Sequence, residues 1–368
     1  MENKERVYLD MHVIQTVPPS CVNRDDTGSP KTAIYGGVRR ARVSSQSWKR
    51  AMRLMFAEHF KENELGQRTK KVVDMVAEEI KKIDSSVDDA KTIELAKKVL
   101  VACGVLKEKK GKEIDEASAL FFLGRQQANN LAKLILDDQD YSEKELGKKA
   151  KEAIVANQAV DIALFGRMVA NDPSLNADAS AQVAHSISTH RVDNEYDYFT
   201  AVDDLAPKDN AGAGMIGVVE YNSATLYRYA TIAVHELNRE LGNEKDVTAK
   251  AVIEFIKAFI TSMPTGKQNT FANRTLPDAV LITLRKDQPI NFAGAFEKPV
   301  QDKGNGYVQE SVQRLEHYAT KVYGTFAAKP NKAWTIGIED DLADTEKVSL
   351  EQLLQEVAAD ISIELSGK

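Results

Sequence analysis

Only two cysteines, Cys21 and Cys103, occur in 368 residues, too few for a disulfide framework or a cysteine-built metal site, as in a reducing compartment. No run of about eighteen apolar residues occurs, and the N-terminus MENKERVYLDMHV carries charge where a signal peptide needs an apolar stretch. A cytoplasmic chain is expected. There is no HExxH pattern and no Walker phosphate loop: around Gly266-Lys267, Thr261 stands where the first glycine belongs and Gln268 replaces the Ser or Thr. Internal repeats and low-complexity tracts are also missing. The most telling absence is local. From Thr27 to Phe56 there is no Asp or Glu, yet Lys31, Arg39, Arg40, Arg42, Lys49, Arg50 and Arg53 all lie there. The chain holds 49 Lys and Arg against 55 Asp and Glu, a net −6, so subtracting these seven charges leaves −13 on the rest. Cationic charge segregated in this way suits one polyanion track rather than general stickiness.

With 43% hydrophobic and 28% charged residues, the composition is that of an ordinary globular protein of more than one domain. Residues 6–16 alternate as a strand, with Val7, Leu9, Met11 and Val13 on one face and Tyr8, Asp10 and His12 on the other. Val38 to Val43 forms a second short strand, splitting Arg40 and Arg42 from Arg39, Ala41 and Val43. Ser44 and Ser45 offer caps to a helix reaching Phe60, whose Trp48, Met52, Met55 and Phe56 make a core stripe opposite Gln46, Lys49, Arg50 and Arg53. Residues 68–157 read as helical, including Ala119, Phe122 and Leu123, while within 158–223, rich in Ala, Ser, Asp, Asn and Gly, the runs 166–182 and 203–217 read as loops. Strands are expected at Met215–Tyr221 and Ala224–Val234, turning at Asn222-Ser223. A helix from Val247 stops at Pro264, and Ala279–Leu284 is a further strand. A helix near Val308–Tyr323, a strand at Trp334–Ile338 and an end helix with the capping box Ser349-x-x-Gln352 complete the chain. The order implies an α+β fold with a ferredoxin-like (RRM-like) palm, an inserted helical domain and a hairpin.

At the start of the first helix, unpaired amides, two hydroxyls and flanking cations converge, a setting that favours a phosphate. A capped helix with a solvated basic face is the plainer alternative. The carboxylate pairs Asp25-Asp26 and Asp203-Asp204 could hold a divalent metal for phosphodiester cleavage, but each lacks a nearby third ligand, and loop aspartates more often close turns. His185 and His190, five apart, are expected to be structural. Tyr196, Tyr198 and Phe199 beside Thr200 could stack on bases or pin a loop, and Met168 could wedge against a base or pack inside.

The segments SCVNRDD (20–26), KTAIYGGVRRARVSSQSWKRAMR (31–53), VDIALFGRM (160–168) and AHSISTHRVDNEYDYFTAVDDL (184–205), with LYRYATI (226–232), GKQNT (266–270) and GAFEK (294–298), closely resemble the backbone subunit of the type I-E CRISPR Cascade complex, the CasC family. The likeness spans nearly the whole chain and is least distinctive near residues 60–150. It implies a palm at 1–60 and 224–345, helical fingers at 61–185, a β-hairpin thumb at 186–223 and a C-terminal helix at 346–368. It further implies a non-catalytic subunit, without cofactor or metal, that polymerises along CRISPR guide RNA with further copies of itself. Target DNA would pair with the guide, and the other Cascade partners would be the large subunit, the small subunit and the guide-end subunits. RNA-backbone contacts would come from Asn23, Arg24, Lys31, Arg40, Arg42, Ser44, Ser45, Gln46, Lys49, Arg50, Arg53 and Lys267, while Met168, Phe199 and Thr200 would hold a displaced nucleotide. The competing expectation is a metal-dependent endoribonuclease built on Asp25, Asp26 or Asp203.

Overall fold

A computed structural model describes residues 6–107, 117, 119–137, 141–169, 172–201, 204–205, 215–337 and 345–366. Its elements run β1 (Tyr8–Ser20), β2 (Thr32–Tyr35), β3 (Val38–Val43), α1 (Ser45–His59), β4 (Gly66–Thr69), α2 (Val72–Ile83), α3 (Asp89–Ala102), β5 (Phe121–Gly124), α4 (Arg125–Leu136), α5 (Glu143–Val155) and α6 (Val160–Phe165). They continue with β6 (Ala181–Val183), β7 (Ser186–Ser188), β8 (Glu195–Ala201), β9 (Met215–Ala233), α7 (Val234–Glu240), α8 (Lys245–Thr261) and α9 (Gln268–Phe271). Last come β10 (Ala279–Arg285), α10 (Val308–Thr325), β11 (Lys332–Ile336), β12 (Glu346–Lys347) and α11 (Leu350–Ser366). The fold is α+β, with a large mixed sheet ordered β12-β11-β10-β1-β9-β7-β3-β2, to which β6 and β8 add by pairing with β9.

Two compact units share the chain: one of Met1–Met52, Val183–Thr231 and Phe255–Ala359, the other of Arg53–Gln182, Ile232–Glu254 and Asp360–Lys368. The boundary between the units thus falls within α1, after Met52.

In the first unit, β1 pairs antiparallel with β10, and β10 with β11. The alternation of β1 is as expected, but both of its faces are buried. Leu9, Met11 and Val13 lie on one side, Asp10 and His12 on the other, all inaccessible. The second face is closed by a layer containing Phe292, Phe296, Leu315 and Ala319, from α10 and the turn before it. The turn expected at Asn222-Ser223 does not form. β9 passes straight through it, and its outer half, Met215–Tyr221, pairs instead with β8 in a register running from Glu195↔Tyr221 to Ala201↔Met215. The Asn222 amide donates to Asn194 Oδ1 at 3.2 Å, so the residue ties two strands together rather than reversing one. Between the expected loops at 166–182 and 203–217 lie β7 and β8, and β6 begins at the end of the first. At the C-terminus the Ser349–Gln352 capping box forms reciprocally, at 3.0 and 3.2 Å. Ile338, at the end of the expected last strand, lies outside the described residues.

The second unit packs α2, α3, α4 and α5 around Val76, Ile80, Leu100, Leu131, Ala150 and Ile154. Here the helical reading of 119–123 is corrected. Phe121–Gly124 is strand β5, paired antiparallel with β4. Three large apolar residues in a row bury both sides of a short strand as readily as a helix face, so periodicity could not separate the two.

Candidate nucleic-acid interface

In the first unit, local hydrogen bonds tie the loop after β1 to the start of α1. Asn23 Oδ1 accepts from the Ser44 amide at 2.9 Å, the Lys31 amide donates to Asn23 O at 2.8 Å, and the Arg42 amide donates to Lys31 O at 2.9 Å. Ser44 is the helix cap: its carbonyl accepts from Ser47 and Trp48, and its hydroxyl accepts from Ser47 N at 3.4 Å. No acid occupies the first turn of α1, so nothing there competes for the positive end of the helix. Ser44 and Ser45 are nearly inaccessible, Ser45 donating to Gln46 Oε1 at 3.4 Å, whereas Gln46 and Arg50 are exposed and Lys49 half-buried.

The helix is braced from behind. Trp48 and Met52 are buried, the Trp48 indole donates to Ser186 Oγ at 3.0 Å, and the Arg228 guanidinium lies 3.8 Å over the Trp48 ring. Gly266 fixes the approach of Lys267: a Cβ there would stand 2.0 Å from Val22 O, so only glycine lets this loop lie against the chain before Asn23. Lys267 itself takes a left-handed φ of 49°. Its charge reaches Cys21, whose thiol is raised by burial and pulled back by Arg24 and Lys267. Asn23, Lys31 and Arg42 line a small cleft with Asn222. Arg42 donates through Nε to Thr32 O at 3.3 Å and through Nη1 to His185 Nδ1 at 3.1 Å. A guanidinium only donates, so the His185 imidazole accepts at Nδ1. Burial, then the charges of Arg42 and Lys31, depress its protonation. His185, expected only as a structural residue, lies beside this cleft. The structure thus gathers Asn23, Arg24, Lys31, Arg42, Ser44, Ser45, Gln46, Lys49, Arg50 and Lys267 around one helix start and the loops that serve it.

One expected contact is corrected, and a second already has a partner within the chain. Arg40 is fully buried, its guanidinium donating to Ser188 O at 2.9 Å, Phe296 O at 2.8 Å and Tyr35 O at 3.2 Å. It staples strands and leaves no edge for a phosphate. In the second unit, Arg53 pairs with the buried Asp161 at 2.9 Å and donates to Gly66 O at 3.2 Å. Asp161 also accepts from Gly66 N at 2.8 Å. Burial pushes its carboxyl up, and the Arg53 charge pulls it back. The acid-free window therefore has an acid after all, supplied from 108 residues away.

Met168, also in the second unit, is 86% exposed. Its neighbour Arg167 is buried and donates to Leu175 O at 2.8 Å and Phe122 O at 3.1 Å, so an anchored backbone displays the thioether outward. On the β8–β9 hairpin of the first unit, Tyr196 and Tyr198 are about two-thirds exposed and Phe199 38%. The Phe199 ring covers its cross-strand partner Gly217, where a Cβ would come within 2.4 Å of it. Thr200, opposite Ile216, is exposed.

Asp25 closes its own turn, accepting from Thr27 N at 2.9 Å, Thr27 Oγ1 at 2.7 Å and Ser29 N at 3.0 Å, and the Thr27 hydroxyl chiefly holds its carboxyl low. Asp203 lies outside the described residues, and among those described no group of three or more His, Cys, Asp or Glu could hold a metal. His190 is structural: its Nδ1 bonds Arg191 O at 2.7 Å, its Nε2 accepts from Thr225 N at 3.1 Å, and it stacks on Tyr307.

The described chain superposes on a chain of a CRISPR RNA-guided surveillance complex in a pre-nicking state, with a TM-score of 0.80 and 32% identity over 96% of this chain and all of that one. A second chain, from a CRISPR RNA-guided surveillance complex, gives 0.69 and 29% over 96% and 99%. The class is therefore that of CRISPR surveillance-complex subunits. The profile of the CT1975-like family matches residues 9–360, and the chain belongs to that family. No curated protein matches it.

Proposed function

We propose that this chain is the non-catalytic backbone subunit of a type I-E Cascade complex, polymerising along CRISPR guide RNA in the cytoplasm and presenting its bases to target DNA. The observation that carries the reading is the acid-free start of α1, where Asn23 and Ser44 hold the backbone in place and Lys31, Arg42, Lys49, Arg50 and Lys267 supply charge. Contacts of this kind suit phosphate and ribose rather than bases, which a guide of variable sequence requires. The succession β1, α1, β7, β9, α8, β10, with spatial order β10-β1-β9-β7, supports the ferredoxin-like palm. The α2–α5 bundle would be the fingers and the β8–β9 hairpin the thumb, with Met168, Phe199 and Thr200 engaging a displaced nucleotide. Further copies of this chain and the large, small and guide-end subunits would complete the particle. The nuclease alternative is weakened because the Asp25 carboxylate is committed to its turn. Purification after co-expression with a CRISPR array and partner subunits should yield a protected RNA of uniform length; a particle assembled without RNA would sink this reading.

A further inference from the structure

Among its described residues, the second unit holds a pair of guanidiniums, Arg53 and Arg68, that share a single carboxylate, Asp161. Arg53 and Arg68 both lie against the ring of Phe122, with their Cζ atoms 4.5 and 4.7 Å from its centroid. Strand pairing makes this arrangement firm: Arg68 on β4 stands directly opposite Phe122 on β5, so the two side chains share a face. Phe122 is buried, and its ring covers Gly66, where a Cβ would meet it at 2.7 Å. The ring therefore cannot swing away, and neither can a guanidinium stacked on it without losing that contact.

The charges do not balance. Asp161 is used by Arg53 and by the Gly66 amide. Arg68 makes no ion pair among the described residues, and it is exposed. Burial against the ring, then repulsion from Arg53, makes its proton easier to lose than usual, with Asp161 only partly offsetting this. An added anion would relieve that repulsion. An aromatic-backed guanidinium keeps its donor edge ordered, which suits two-pronged recognition of phosphate better than a freely moving lysine would.

We propose that Arg68, held against Phe122 beside Arg53, is a phosphate-binding residue for the RNA backbone. The proposal rests on the RNA-binding reading above and assigns to Arg68 the contact that the sequence assigned to Arg53. Arg53 then acts as the fixed partner that orders Asp161, Gly66 and the ring.

The test uses the full chain and a short single-stranded RNA of mixed sequence, with affinity measured across a salt series. Arg68→Ala and Arg68→Gln should each weaken binding and make log K against log salt shallower by about 0.7, the loss of one phosphate contact to a single strand, with the melting temperature unchanged. Should either variant prove unstable, the other still reads the slope. If both bind like wild type while Lys49→Ala with Arg50→Ala is weakened, the Arg68 assignment falls and the RNA-binding reading stands. If both bind RNA like wild type but lose affinity for polyglutamate, the site belongs to an acidic protein, and the assignment again falls. If wild type itself does not bind RNA, both fall together.

Discussion

The two halves of α1 share one helix and one basic sequence, yet they use charge in opposite ways. Its first turns, up to Met52, set Lys49 and Arg50 on a face with no acid in the opening turn, behind which Trp48 and Met52 fill the core. Beyond Met52, Arg53 is locked to Asp161, and His59 faces Glu254 at 3.9 Å. A charge turned inward must be matched, because leaving it unpaired away from water costs far more than a surface pair returns. An exposed charge such as Arg50 needs no such match. The halves differ in what the rest of the chain brings to them, and their own residues do not announce it.

Removing the inward charge should have the largest effect. Arg53→Ala strips the partner from a carboxylate that is 2% exposed, and breaking such a pair typically costs about 3 kcal/mol. Thermal unfolding should show a clear fall in melting temperature, with the salt slope of RNA binding unchanged once the protein is compared well below its transition. A variant as stable as wild type but with a shallower slope would show Arg53 facing outward like Arg50, erasing the contrast.

The other inward charge, Asp10, sharpens the same point in the first unit. It is 1% exposed, and burial raises its carboxyl to about 6 from 3.8, against hydrogen bonds from Ile290 N and Tyr229 and the charge of Arg285. A raised carboxyl means that the folded state binds the proton more tightly. Stability from this group is fully present below 3.8 and is lost as pH rises to about 6. Beside it, His12 is depressed to about 3, so its contribution runs the other way, present above 6.5 and lost as pH falls. Asp10→Asn should therefore stabilise the protein at pH 8 by up to about 3 kcal/mol and unmask a steeper loss of stability between pH 6 and 4. Equal melting temperatures for the variant and wild type at pH 8 would mean that the ionised carboxylate is better solvated than its burial implies.

The sequence disclosed the local rules and missed those set by distant partners. The period of β1, the Pro264 stop, the Ser349 cap and the Trp48–Met52 stripe were all legible, because each depends on residues a few positions apart. So was the gathering of Asn23, Lys31, Arg42 and Ser44, whose positions lie within 22 residues of one another. Arg40 was misjudged, and the Arg53 ion pair was hidden, because their partners, Ser188 O and Asp161, lie more than a hundred residues away. The burial of Asp10 and His12 was likewise hidden, since α10 and the Phe292–Phe296 turn come from the far end of the chain. The β9 strand ran through Asn222-Ser223 because β8, with no clear turn signal of its own, was there to pair with it.

That hairpin supplies the smallest expected effect. Phe199 sits on an exposed two-stranded ribbon and is itself 38% exposed, so its ring contributes mainly by covering Gly217. Phe199→Ala should cost about 1 kcal/mol, well below a core aromatic truncation, and should leave assembly on guide RNA largely intact while impairing target binding. The distinction rests on where the ring points. A side chain needed for folding would lower the yield of assembled particle and target affinity together, whereas one that meets a displaced nucleotide lowers the second alone. Parallel measurement of RNA-bound particle by size-exclusion chromatography and of target DNA affinity separates them. Equal losses in both would place Phe199 with the inward groups, as a support for Gly217 and the ribbon rather than a ligand contact.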